Sequence, residues 1–354
     1  MNHGLVERYR RLRTDPTARS ILRSRAAVTA AIRRQLAGAG HIEIDSPLLQ
    51  TRPRPVPGRS FRTETAHLGP HTYLRSSPLH LRAMLTANFD RVYEIARTFR
   101  DESADNTHNP EYTLVEVYRA DADYRHMADL ARELIIEAAL TANGTTRITV
   151  PAAATPRTAP GTAREIDLTV DWPHVRLHQA LSEATGMDIT PATPLPQLRK
   201  AAQARGVTLN CDADAAAAAL DLYEALVEPT LTGPVFITDF PARLSPMARP
   251  CPHDPLLAQK WDLVIGGVEI ATGYTEVTDP DELRQRLTPP ADGVLPAHEA
   301  ETIDEEFLQV FAAGMPPTGG LCIGLDRLVQ TLTGAPSIAD VIPFPATTHS
   351  LLDL

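Results

Sequence analysis

Three stretches of this 354-residue chain gather side chains able to hold phosphate, carboxylate or a metal ion. The first runs Phe99-Arg100-Asp101-Glu102, then His108-Asn109-Pro110-Glu111-Tyr112-Thr113 and Glu116-Val117-Tyr118. On extended backbone, Arg100 and Glu102 share a face, and so do Glu116 and Tyr118. An arginine so placed can fork onto phosphate or carboxylate oxygens, although a surface salt-bridge ladder uses the same residue types. The second stretch holds Asp262, Glu269 and Glu276, with Thr272 between the last two. Asp262 and Glu269 are expected to face each other across a hairpin turning at Gly266-Gly267. Close carboxylates repel unless a cation sits between them, which suits magnesium bound with phosphates; a solvated sheet edge is the plain alternative. The third is Gly319-Gly320-Leu321-Cys322-Ile323-Gly324-Leu325-Asp326-Arg327. Its glycines let a ligand approach the backbone, and Arg327 opens a helix, but the spacing is neither that of a P-loop nor that of a dinucleotide fingerprint.

These residues need elements to position them. Ile21, Val28, Ile32 and Leu36 recur at helical spacing in a helix ending near Ala37, and His41–Ile44 alternates as a strand that Pro47 follows. A helix is expected over Leu79–Ala87. Arg91–Ala96 and Glu111–Tyr118 read as a hairpin with a long polar connection, a feature that is often functional. Met127–Leu140 is an amphipathic helix closed by Asn143-Gly144, and Thr193–Ala204, Asp212–Leu226 and Asp304–Ala313 also read as helices. Val235–Thr238 is a buried strand, Trp261–Ile265 and Val268–Thr272 form the hairpin, and Leu321–Leu325 feeds the helix Asp326–Leu332. Residues 51–60 and 151–164 read as loops, the second flexible by composition. The pattern predicts an α+β fold with a mostly antiparallel sheet.

Composition narrows the class. At 43% hydrophobic residues and net charge −10 the chain is not disordered, and no apolar run is long enough for a transmembrane helix. Cys211, Cys251 and Cys322 are odd in number and far apart, which predicts no disulfide framework or zinc knuckle and a reduced, cytoplasmic setting. Residues 1–34 carry nine arginines against Glu7 and Asp15, so the remainder is acidic and gains little from a nucleic-acid backbone. The basic start reads either as a solvated helix face or as a polyanion contact.

Taken together and in order, the stretches resemble the catalytic domain of class II aminoacyl-tRNA synthetases, in particular the lysyl subgroup. The likeness extends to its stand-alone paralogues, such as the β-lysine ligase of elongation factor P. GHIEIDSPLL (40–49) is similar to motif 1, VYEIARTFRDE with THNPEYTLVEVY (92–118) to motif 2, and GLCIGLDRLVQTLTG (320–334) to motif 3. EPTLTGPVFITDFPARLSPMA and GGVEIATGYTEVTDP resemble the lysyl subgroup specifically. The resemblance runs from about Arg8 to Pro345 and implies a single catalytic domain, 1–354, that uses ATP and Mg2+ to make an aminoacyl-adenylate. It implies that Arg100 holds the α-phosphate and the amino-acid carboxylate, with Asp101 beside it, that Glu102 accepts from the adenine amino group, and that Tyr112 and Arg327 sandwich the adenine. His108 and Asn109 would line the triphosphate loop, Asp262 and Glu269 would coordinate magnesium, and Ile270 and Gly324 would offer backbone contacts. Ser77, Pro78, Glu116, Tyr118, Thr272, Glu276 and Cys322 would surround the amino acid, with Glu276 and Tyr118 meeting a side-chain ammonium. Dimerisation through the segment around Pro47 is implied as well.

Departures bear on the substrate. After Ser77-Pro78 the subgroup has a glutamate for the α-ammonium; this chain continues with Leu79, by substitution or a one-residue deletion. Thr272 replaces an asparagine, Cys322 a smaller residue, and stretch 51–60 a Gly-Gly-Ala loop. These favour a lysine-like acid with a modified or displaced amine. Only seven residues precede Arg8, too few for an anticodon-binding barrel, so the expected acceptor is not tRNA but a protein, a carrier or a small molecule. The competing readings are the elongation factor P ligase, against which Cys322 and Leu79 count, an inactive binding paralogue, against which Arg100, Glu102, Glu269 and Arg327 count, and a minimal tRNA-charging enzyme.

Overall fold

The computed structural model describes residues 3–51, 60–65, 67, 69–151, 163–288 and 304–346. Among them the largest element is an eight-stranded sheet. We label its strands β1 (Ile42–Glu43), β2 (Arg91–Phe99), β3 (Glu111–Ala120), β4 (His174–Arg176), β5 (Val235–Thr238), β6 (Lys260–Ile265), β7 (Val268–Thr275) and β8 (Thr318–Gly324). Their order across the sheet is β1-β2-β3-β8-β7-β6-β5-β4. The inner pairings are all antiparallel, and only the two outermost, β1 with β2 and β4 with β5, are parallel. This is the expected α+β architecture.

Alternation along each strand sorts the sheet into a dry face and a polar face. Val115, Val117, Leu321, Ile323, Ala271 and Leu263 are buried in one cluster with Val28, Ile32 and Leu36 of the helix Pro16–Gly38 and with Leu134 and Ile135 of the helix Tyr124–Asn143. Their neighbours Glu116, Tyr118, Cys322 and Thr272 therefore lie on the opposite face. The helices start where local chemistry favours it: Asp15 accepts from Thr17 N–H ahead of Pro16, and Asp123 accepts from the Arg125 and His126 N–H groups.

Part of the basic start is used within the fold, while Arg10, Arg13, Arg23, Arg33 and Arg34 stay exposed. Arg8 donates to the carbonyls of Asp340, Ile342 and Pro343, Arg11 pairs with Asp340, Arg25 with Asp326 and Arg33 with Glu43.

Several expected boundaries move. The strand predicted over His41–Ile44 is only Ile42–Glu43, and Leu79–Ala87 is a 3-10 helix rather than an α-helix. Residues 52–59 and 152–162, most of the two expected loops, lie outside the described residues. Arg164, assigned to the second loop, instead opens the strand Arg164–Asp167, which pairs with Arg147–Val150.

A buried ion pair fixes the edge of the sheet. Glu94 of β2 meets Arg75 at 2.7 Å with both side chains almost fully enclosed, and Ser46, next to Pro47, donates to the same carboxylate. Arg75 also donates to the Ser46 and Arg97 carbonyls. Removing one charge leaves its partner buried and alone, so Glu94→Gln should lower the unfolding free energy by about 3 kcal/mol in urea denaturation. A loss below about 1 kcal/mol would show that the pair does not hold this edge.

Candidate active site

Pairing register lines up one row of side chains across five strands. Glu94 of β2 lies opposite Glu116, Glu116 opposite Cys322, Cys322 opposite Thr272, and Thr272 opposite Asp262. The next row on the same face is Val92, Tyr118, Gly320, Tyr274 and Lys260. Glycine is required in that second row, since a Cβ on Gly320 would fall 2.6 Å from Glu276 Oε1 and 3.0 Å from the Tyr118 ring. The site floor is thus the polar face of the sheet.

Asp262 and Glu269 are not opposite each other, contrary to the sequence expectation. The partner of Asp262 is Thr272, and that of Glu269 is Val264. The register shifts between Leu263 and Val264, because β7 carries one extra residue there. Strict alternation would send Glu269 and Thr272 to opposite faces; the bulge turns Glu269 onto the same face as Asp262. Both line one pocket with Tyr223, Glu224, Glu228 and Lys260. Lys260 Nζ donates to both oxygens of Asp262 at 2.6 Å.

This pocket is short of positive charge. Enclosure by the pocket walls, then repulsion by Asp262, pushes the Glu269 carboxyl up, although its side chain remains 46% accessible through the mouth. Burial, then repulsion by Glu269 and Glu224, pushes Glu228 up to about 8. A donor set of hard oxygens that resist joint ionisation fits a divalent cation such as Mg2+, which Asp262 and Glu269 would hold, with Glu228 alongside. Such an ion supplies charge neutralisation for phosphate oxygens.

The second cluster forms around Arg100. The sequence reading placed Arg100 and Glu102 on one extended face. Instead β2 ends at Phe99, and Glu102 N–H donates back to the Arg100 carbonyl at 2.9 Å, a tight turn that ends the alternation. Arg100 is held by its own N–H, which donates to Pro110. Its guanidinium lies 5.7 Å from the centre of the Tyr112 ring, and its Nε is buried with no acceptor among the described residues. Asp101 and Glu102 are exposed. Arg327, one turn into the helix Leu325–Thr333, reaches the Thr107 and Glu269 carbonyls and His108 Nε2, and Asp105 braces the other His108 nitrogen. Asn109 lies in this loop but spends its amide on the Glu111 carbonyl. Ile270 is packed in the core, and only its carbonyl adjoins Gly324, 3.6 Å from where a Cβ there would stand.

The third cluster closes the far end. Ser77, next to Pro78, donates to Glu116 at 3.1 Å, and Tyr118 donates to the same carboxylate. Arg82 of the 3-10 helix, a residue absent from the sequence reading, reaches into this cluster. Its Nη2 donates to the Tyr118 and Tyr274 hydroxyls and lies 3.5 Å from Glu276 and 3.8 Å from Glu116. Arg82 and Glu276 are both fully buried. Burial alone would weaken the proton on Arg82, but Glu276 foremost, then the phenols and Glu116, hold it well above the usual guanidinium value. The helix over 79–87 was legible in the sequence; which of its faces enters the site was not, because a 3-10 turn changes the spacing. Lys260, Tyr274 and Glu228 were missed as well, though all three lie within or beside quoted motifs.

Glu228 gives a pH dependence. Its carboxyl holds a proton in the folded chain at pH values where the unfolded chain has lost it, so stability falls as pH rises from about 4.5 to about 8. In metal-free buffer, Glu228→Gln should match the parent near pH 4 and be more stable at pH 8 by on the order of 2 kcal/mol, one pKa unit being worth about 1.4 kcal/mol. Parallel stability curves for the two proteins from pH 4 to 8 would refute the assignment.

Comparison with known proteins agrees with this geometry. A family model described as tRNA synthetases class II (D, K and N) matches residues 1–348. The chain is 40% identical over 343 residues to the lysylphosphatidylglycerol biosynthesis bifunctional protein LysX of Rhodococcus opacus, covering 96% of this chain and 30% of that protein. It is 41% identical over 342 residues to the protein of the same name from Mycobacterium avium, covering 96% and 28%. It is 41% identical over 356 residues to a lysine–tRNA ligase of Thermosynechococcus vestitus, covering 97% and 68%. This chain therefore spans less than a third of the length of the LysX relatives. Among the described residues no helix is long and apolar enough to cross a membrane. A match over nearly the whole chain, on a sheet whose polar face carries the motif residues, shows that the chain belongs to the class II tRNA synthetase family (D, K and N), with a lysine–tRNA ligase among its relatives.

Proposed function

We propose that this chain activates a lysine-like amino acid with ATP and transfers it from the adenylate to an acceptor other than tRNA, such as a protein amine, a carrier thiol or a small molecule. The observation that carries the reading is Arg100. A guanidinium beside an aromatic ring, with a buried nitrogen that has no acceptor among the described residues, is built to take an oxygen anion from a ligand. Two anions must meet in this chemistry, the amino-acid carboxylate and the α-phosphate, and a shared guanidinium reduces their repulsion.

The step is in-line displacement. A carboxylate oxygen forms a bond to the α-phosphorus as the bond to pyrophosphate breaks, and pyrophosphate leaves with the electron pair. No nucleophile from the protein is needed, so the chain contributes position and charge stabilisation. Tyr112 and Arg327 would flank the adenine, Glu102 would meet its amino group, and His108 would approach the triphosphate. Asp262 and Glu269 would hold Mg2+.

The names of the relatives, which concern lysine, support a lysine-like substrate. The departures at Leu79, Thr272 and Cys322 support an acid with a modified or displaced amine, and the acidic body of the chain supports an acceptor other than tRNA. Assembly as a homodimer around Pro47 is supported by Ile42, Leu48 and Leu49, large apolar residues that stay exposed in this segment. A cytoplasmic location follows from the cysteine usage.

Amino-acid-dependent exchange of pyrophosphate into ATP tests the activation step. Arg100→Ala should reduce exchange at least about 100-fold with unchanged circular dichroism. Undiminished exchange in that variant would remove Arg100 from the mechanism. Light scattering should give twice the chain mass, and a monomer would reject the proposed dimer.

A further inference from the structure

The polar face of the sheet already contains a cation beside Glu276. Arg82 is fully buried and projects from the 3-10 helix so that one nitrogen lies 3.5 Å from Glu276 and 3.8 Å from Glu116. The same nitrogen donates to the Tyr118 and Tyr274 hydroxyls. The two groups expected to meet a substrate ammonium, Glu276 and Tyr118, are therefore both engaged by the protein itself. A second cation brought beside Arg82 would meet like charge in a site closed to water, where that repulsion is strongest. The other two nitrogens of Arg82, Nε and Nη1, are buried and have no acceptor among the described residues. Buried donors left without acceptors are costly, so this end of the site still requires an oxygen.

We infer that Arg82 sets the substrate specificity, admitting an amino acid whose side chain ends in a neutral oxygen acceptor, an amide or a hydroxyl, and excluding one that ends in an ammonium. This rests on the activation reading above and narrows the lysine-like class to members whose distal amine is masked or absent. The α-ammonium remains welcome, because the single Arg82 is shared between two carboxylates, Glu276 at 3.5 Å and Glu116 at 3.8 Å, which leaves acceptors for one more cation. A side-chain carboxylate is disfavoured by the same Glu116 and by Glu276. This end of the site thus accepts one substrate cation, not two.

The test uses the intact chain and two readouts. Calorimetric titration with lysine, ornithine, β-lysine, glutamine and Nε-acetyllysine measures binding, and pyrophosphate exchange measures activation. Glutamine or Nε-acetyllysine should bind at least about 10-fold more tightly than any of the three diamino acids. Arg82→Met, which keeps volume and removes charge, should reverse the order in favour of lysine. Tighter binding of lysine than of both neutral ligands by the parent protein overturns the inference, and so does an Arg82→Met variant that folds but keeps the parent's order. If that variant fails to fold, the parent titration alone decides. Binding of the neutral ligands without exchange would sink the activation reading and leave the assignment of Arg82 standing; exchange with lysine as the preferred substrate does the reverse.

Discussion

An ion on the inner face of this sheet has little water to screen it, so each carboxylate there needs a cation or hydrogen-bond donors within a few ångströms. Glu94 and Glu116 are register neighbours on adjacent strands, an arrangement that like charge would normally destabilise. The chain resolves it by giving each carboxylate its own partners. Arg75 and Ser46 serve Glu94, and Ser77, Tyr118 and Arg82 serve Glu116. Arg25 and Asp326 repeat the device beneath the opening turn of the last long helix, where Asp326 also accepts the Thr113 N–H. Burial of charge in matched pairs is what allows a sheet face to be both enclosed and polar.

That face divides into regions of opposite electrostatic need. Around Glu224, Glu228, Asp262 and Glu269 negative charge is in excess, and two of the carboxyls are pushed toward their neutral forms. Among the described residues, a buried donor of Arg100 lacks an acceptor, and two of Arg82 do. A ligand that carries phosphate oxygens with a divalent cation at one end, a carboxylate in the middle and an uncharged polar group at the far end matches all three regions. The fit is one of charge and hydrogen bonding, and it asks for no covalent chemistry from the protein.

The order of motifs and the strand alternation made much of this site readable. Tyr112, Glu116 and Tyr118 keep one parity along an uninterrupted strand, and so do Gly320, Cys322 and Gly324. Two expectations that relied on the same rule failed where the backbone departs from it. Arg100 and Glu102 are separated by a tight turn, and Asp262 and Glu269 are related through a bulge instead of direct pairing. Parity arguments cannot detect an inserted residue, because a bulge leaves no mark in residue type.

From its residues alone the chain determined an antiparallel sheet backed by amphipathic helices, the close of one helix at Asn143-Gly144, and a family-level resemblance that names most of the side chains in the site. Those features depend on local spacing and residue type, which a linear sequence records. Only the tertiary structure decided what each side chain meets. It set Arg8, Arg11 and Arg25 of the first helices against carbonyls and carboxylates, aimed Glu269 through a bulge, and brought Arg82 to Glu276 from nearly two hundred residues away. The physical reason is that charge pairing inside a protein acts over a few ångströms of space, and separation along the chain says nothing about that distance.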